Sequence, residues 1–96
     1  MIKIATLIKE LPYSSNSISS KSQKIYRCDP PLDGHDYVCV SAADIHVSGP
    51  ETYIFPCDDK GTITDFIELE GSYKGDLNHE LALKNAGYYI SDKKAN

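Results

Sequence analysis

Cys28, His35, Cys39, His46 and Cys57 are the side chains of this sequence best suited to a soft divalent metal. A zinc centre gathers three or four such ligands, usually as two closely spaced pairs. Here the successive separations are seven, four, seven and eleven residues, and no Cys-x-x-Cys occurs, so neither a metal nor any other cofactor is expected. Cys39 lies within Tyr37-Val38-Cys39-Val40-Ser41, where a small residue of apolar behaviour suits a strand, and the three cysteines are expected as reduced, buried thiols. His79-Glu80 begins like a zinc-protease helix, but Leu83 stands where the second histidine is required. His79 is therefore expected on the exposed first turn of a helix. Ser41, Asp44 and His46 have the types of a nucleophile, an orienting acid and a base, yet Ser41 lacks the Gly-x-Ser-x-Gly turn that would present it. Asp58-Asp59-Lys60-Gly61 shares composition with a calcium loop without its alternating acids or terminal glutamate. Gly71, Tyr73 and Gly75 lack the Gly-Lys-Ser/Thr of a phosphate loop. With no catalytic constellation, the expected activity is binding, not catalysis.

Charge is distributed in blocks. Residues 1–27 carry five bases against Glu10, and residues 81–96 carry Lys84, Lys93 and Lys94 against Asp92. Residues 28–57 hold five acids and no base, and residues 58–80 hold seven acids with only Lys60 and Lys74. The acidic middle, within a formal net charge of −4, repels nucleic-acid phosphate and attracts a basic partner surface over a Debye length of roughly 8 Å. Seven tyrosines and no tryptophan add amphipathic contact groups, with Tyr53, Tyr73, Tyr88 and Tyr89 near the acid-rich half. The residues expected to meet a partner are Asp58, Asp59, Asp65, Glu68, Glu70, Tyr73 and Asp76.

The elements that must position these groups belong to one α+β domain over residues 1–96, since two cores in a chain of 96 residues would bury too little apolar surface. Ile2, Ile4 and Thr6 alternate as in a strand that Pro12 ends. Tyr13 to Lys24, with six serines, reads as a flexible loop. Lys24–Cys28 is a short strand, and Asp29-Pro30-Pro31-Leu32-Asp33-Gly34 is a chain reversal. Strands are expected at Tyr37–Val40, Thr52–Phe55 and Thr62–Leu69, with a hairpin turn at Asp58–Gly61. The expected helix starts at an Asp76 cap, buries Leu77, Leu81, Ala82 and Ala86, and ends at Gly87. Tyr88–Ile90 returns as a strand, and residues 91–96 fray. The expected architecture is an antiparallel meander of about four to five strands with one C-terminal helix on one face. Met1 to Ile8, broken by Lys3, is far short of the roughly 18 apolar residues of a membrane span. It also lacks the pattern of an export signal, so a cytoplasmic protein is expected.

His35-Asp36-Tyr37-Val38-Cys39-Val40-Ser41-Ala42, Pro50–Pro56 and Gly71-Ser72-Tyr73-Lys74-Gly75 with His79-Glu80, Ala82-Leu83 and Ala86-Gly87-Tyr88 resemble small accessory proteins of tailed phages and prophages. The resemblance implies a protein of the anti-CRISPR kind, acting in the host cytoplasm. Such a protein would inhibit a host defence protein that holds nucleic acid, its carboxylates standing in for phosphates. It brings no catalytic residues. A different expectation is a protein that sequesters a nucleotide signal through the Ser-rich segment and Lys21, Lys24 and Arg27. An exposed sheet edge leaves a homodimer open.

Overall fold

The computed structural model describes residues 2–15, 19–45 and 47–91. Seven strands and one helix follow in the order β1 (Ile4–Glu10), β2 (Ser14–Ser15), β3 (Ser19–Leu32), β4 (His35–Ile45), β5 (Gly49–Pro56), β6 (Tyr73–Lys74), α1 (His79–Asn85) and β7 (Tyr89–Ser91). All strands belong to one sheet of order β6-β5-β4-β3-β1-β7, with β2 also beside β3. Every pairing is antiparallel except β7 on β1.

The fold is thus mostly sheet with one short helix, but two expectations about the sheet need correction. It has seven strands, not four to five, and it is mixed, not a meander. The chain leaves β6 at one edge, crosses a sheet face as α1, and returns at the far edge as β7. After the crossing β7 runs in the direction of β6, and the antiparallel steps from β6 through β5, β4 and β3 give β1 that direction too, so β7 pairs with it in parallel.

The segment expected as a loop at 13–24 is largely strand. Ser14 and Ser15 pair with Lys21 and Ser20, and residues 20–24 face Asp44 to Val40. Small hydroxyl side chains fit a pleated surface, and the long partner β4 supplies the ladder that their weak propensity would not secure alone. Residues 16–18 and 92–96, which include most of the expected frayed tail, lie outside the described residues. The reversal expected over Asp29–Gly34 shrinks to Asp33 and Gly34, whose φ values are 49° and 86°; β3 runs on to Leu32 through a register shift after Arg27.

Thr62–Leu69 is not a strand. Ile63 makes a lone bridge to Cys57, Thr64 N–H donates to Pro56 O at 3.0 Å and Leu69 N–H to Ile54 O at 2.8 Å. The chain therefore lies along the outer edge of β5 at separated points, and Asp65 to Glu68 loop out. Adjacent Phe66 and Ile67 break the alternation a half-buried strand needs.

The helix is capped by Asn78, whose side chain accepts from Leu81 N–H at 3.0 Å; Asp76 precedes the cap and receives the Thr52 hydroxyl on its carbonyl at 2.8 Å. Ala82, Leu83 and Ala86 face the sheet, while Leu77 and Leu81 are exposed, so the expected inward face is partly wrong. At the other end Tyr88 N–H donates to Leu83 O and Gly87 N–H to Lys84 O, the two bonds of a Schellman ending, with Gly87 at φ 91°.

Strand alternation divides the core in two. Tyr26, Cys28, Val38, Val40 and Ile54 point to the helix and join Ala82, Leu83, Ala86 and Tyr88. Ile25 and Cys39 point the other way and meet Cys57, with Ile8, Tyr37 and Ile63 against them. The helix covers the first face, and the turn after β5 covers only part of the second.

Candidate functional site

The uncovered part of the second face forms a groove of about 540 Å³, within the range of ligand-binding clefts. Cross-strand register builds its floor. Lys21, Ala43 and Glu51 lie in one row across β3, β4 and β5, and Gln23, Ser41 and Tyr53 in the next. Phe55 continues the floor toward Cys39, and Gly61, Ile63 and Phe66 of the loop after β5 make the wall.

The wall is held by its own turn. The Asp58 carboxylate accepts from Lys60 N–H and Thr62 N–H, both at 2.9 Å, and these amides, Thr62 foremost, hold its pKa below the usual carboxylate value. Gly61 N–H closes the turn on Asp58 O at 3.0 Å. Beyond it Phe66 places its ring edge-on to Phe55 at 5.5 Å, and Phe55 lies 6.0 Å from Tyr53. Phe66 is nevertheless 75% exposed and Ile67 56%, so this aromatic row has one side open.

The polar groups are few and unequal. Glu51 is only 9% exposed, and it acts on the Tyr53 hydroxyl two residues along the same strand face. Burial, the Glu51 carboxylate and the charge of Glu68 together push the Tyr53 phenol up to about 12. The one ion pair among the described residues joins Lys24 and Glu10 at 3.5 Å, so Glu51 forms no ion pair among them, while Lys74 stands opposite it in register on β6. A buried carboxylate outside any ion pair retains acceptor positions. Lys21 stands on the opposite rim, exposed; burial pushes the Cys39 thiol up to about 11, and the charge of Lys21 acts in the opposite direction with smaller effect.

Four of the seven residues expected to meet a partner, Asp58, Asp59, Asp65 and Glu68, lie on the wall loop. The other three lie elsewhere. Glu70 N–H donates to Asp33 Oδ2 at 3.0 Å, beside the β3–β4 turn, and the charges of Asp33 and Glu70 bear on Tyr88 of the helix-side core. Tyr73 sits opposite Thr52 on the edge strand, half-buried, its hydroxyl enclosed without a hydrogen-bond partner among the described residues, and Asp76 acts on it electrostatically. The basic trio separates too: Lys21 lines the groove, Lys24 is held by Glu10, and Arg27 is paired in register with Thr6 and Tyr37.

Of the groups weighed for chemistry, the described residues contain no cluster of three or more metal-ligating side chains, and His46 lies outside them. His79 is half-buried, not exposed: its Nε2 is 2.9 Å from Ser22 O. A carbonyl only accepts, so the neutral ring carries its proton on Nε2, and burial holds its pKa below the usual value. Ser41 is buried in the groove floor. Glu51, Phe55 and Phe66 were missed by sequence reasoning; alternation within Glu51-Thr52-Tyr53-Ile54-Phe55 does place the first, third and fifth on one face, but only the register with β3 shows what they face.

Comparison with protein-family models, with curated proteins and with solved structures finds no match. No helix among the described residues is long and apolar enough to cross a membrane.

Proposed function

We propose that this protein acts by binding, without catalysis, and that its partner is a protein with a basic surface seated on the groove and its wall loop. The observation that supports this most is the union of an open aromatic groove with a wall loop whose exposed Asp59, Asp65 and Glu68 have no ion-pair partner among the described residues. Exposed, unpaired carboxylates around an apolar centre match the polar rim and apolar core of a protein interface, and they steer a basic partner during encounter. On this reading the carboxylates occupy the place of phosphates on the partner, as the resemblance to phage inhibitors implies, and the reading rests on the surface alone.

The test is capture from a cell lysate at low and high salt by the wild-type chain and by an Asp65→Lys/Glu68→Lys variant. A basic protein retained by wild type at low salt, and lost both at high salt and on the variant, is the expected result. Identical capture by both chains at both salts would sink the reading.

Lys21 favours a second reading, in which a small anionic molecule such as a nucleotide stacks on the groove aromatics with its phosphate toward β3. A nucleotide that raises the melting temperature in proportion to its concentration would support it.

A further inference from the structure

We infer that the Glu51–Tyr53 end of the groove is a receptor for a guanidinium group, so that the partner enters it with an arginine side chain. The inference rests on the proposed binding of a basic protein and specifies the chemistry of its anchor.

The chemistry at this end selects its occupant. A carboxylate accepts and never donates, so Glu51 favours a group that offers N–H donors side by side. Tyr53, two residues further along β5 and on the same face, lines the same groove as the carboxylate. Burial of Glu51 to 9% exposure means that a charge brought to it is poorly screened, and no ion pair to Glu51 is formed among the described residues, although Lys74 faces it in register from β6. The Tyr53, Phe55 and Phe66 rings, at centroid separations of 6.0 and 5.5 Å, offer faces and edges beside the carboxylate. A planar, weakly hydrated guanidinium uses both features at once, pairing two N–H groups with a carboxylate while stacking on an aromatic ring. An ammonium gains the charge but neither the fork nor the stack.

Charge over the surrounding surface points the same way. Glu68 acts on Tyr53 together with Glu51, and Asp65 adjoins Phe66 in the sequence. The bases in the same row as Glu51 are Lys74, opposite it on the edge strand, and Lys21, two strands away, which lines the groove. Lys21 therefore opposes an arginine and would assist a phosphate, so the sign of its removal separates the two readings.

The experiment is a titration of the isotope-labelled full chain, followed by backbone amide shifts, with a blocked Gly-Arg-Gly peptide and its isosteric, neutral citrulline counterpart. The expected result is that the arginine peptide moves the amides of Ser41, Glu51 and Tyr53, and that the citrulline peptide binds at least about tenfold more weakly, as loss of a charge-assisted hydrogen bond entails. Glu51→Gln should weaken the arginine peptide by a similar factor, Phe66→Ala, at an exposed position that folding does not depend on, should weaken it less, and Lys21→Gln should tighten it. Equal binding of the two peptides, or weaker binding after Lys21→Gln, overturns the inference. Shifts confined to the loop at residues 58–70 overturn it while leaving the acidic contact surface standing. No shift anywhere overturns both.

Discussion

The thiols of Cys28, Cys39 and Cys57 are free and buried, one in the core under the helix and two in the smaller core under the wall loop. Burial pushes Cys39 up to about 11 and Cys28 and Cys57 up to about 12, from a usual value of 9.0. For Cys57 the neighbouring Cys39 and Asp58 add to the same direction. An acid whose folded pKa is raised gives up its proton first from the unfolded chain, so the stability it contributes is complete below about pH 9 and is lost as pH rises from there through the folded value. Each such group weakens folding by at most about 1.4 kcal/mol per pH unit in that window. Melting temperature measured in reducing buffer should therefore be level between neutral pH and about pH 8.5 and fall steeply above it. A flat profile to pH 10.5 would show that the thiols are not held in an apolar setting. The same burial keeps the reactive thiolate scarce, which agrees with the expectation, drawn from the alternation around Cys39, that these sulfur atoms are structural.

Among the elements, the helix shows most plainly what pattern reading can and cannot reach. Its existence, its Gly87 ending and its acidic first turn at Glu80 were legible, because each is a local signal. Its inward face was legible only in part, for Ala82 and Ala86 are buried as expected and Leu77 and Leu81 are not. Leu77 and Leu81 are the larger residues, but the small Ala82 and Ala86 face the sheet, because the segment around Gly71 passes directly beneath them. Gly71 has φ 102°, and a Cβ there would run into the Ala82 carbonyl oxygen while lying 3.1 Å from both Ala86 Cβ and Ile54 Cδ1. A larger side chain could not be seated at 82 or 86 above Gly71, although Leu83 is buried beside them. Gly71→Ala should then cost at least about 2 kcal/mol, combining strained backbone with overpacking against a helix that cannot yield locally. Urea denaturation measures it, and a loss below about 0.5 kcal/mol would mean that the loop and helix are not in close contact. The wall loop failed the sequence reading for a related reason. Thr62 to Leu69 has strand-forming residues, yet β5 offers that segment only the isolated bonds to Pro56 and Ile54, and Ser72 Oγ takes the Ile54 N–H at 2.8 Å that a ladder would have used.

At the scale of the whole molecule, the groove depends on a register that no local pattern contains: Lys21, Ala43 and Glu51 come from three strands, and their alignment follows from the lengths of two hairpins. The mixed topology was hidden likewise, since Tyr88–Ile90 reads as a strand but not as one that crosses to the far edge, where β7 is Tyr89–Ser91. That crossing is fastened by Tyr88, which the sequence suggested as a surface contact residue and the structure buries to 3% exposure. Its ring joins the helix-side core, its hydroxyl donates to Pro30 O at 2.6 Å, and the Lys3 ammonium lies 5.2 Å from the ring centroid. Lys3 also donates from Nζ to Ala86 O at 3.4 Å and accepts on its carbonyl from Tyr89 N–H at 2.8 Å, so one tyrosine and one lysine join the first strand, the helix end and the last strand. Two substitutions separate the contributions. Tyr88→Phe keeps the packing and loses one hydrogen bond, for which about 1 kcal/mol is expected. Tyr88→Ala opens a cavity where three elements meet and should cost about 3–5 kcal/mol, a large share of the roughly 5–15 kcal/mol by which a domain is stable. Both are read from urea denaturation, and β7 should lose amide-exchange protection in the alanine variant before β4 does. If Tyr88→Ala cost no more than Tyr88→Phe, the last strand would not be held by the core, and the parallel edge would have to be stabilised by its ladder alone.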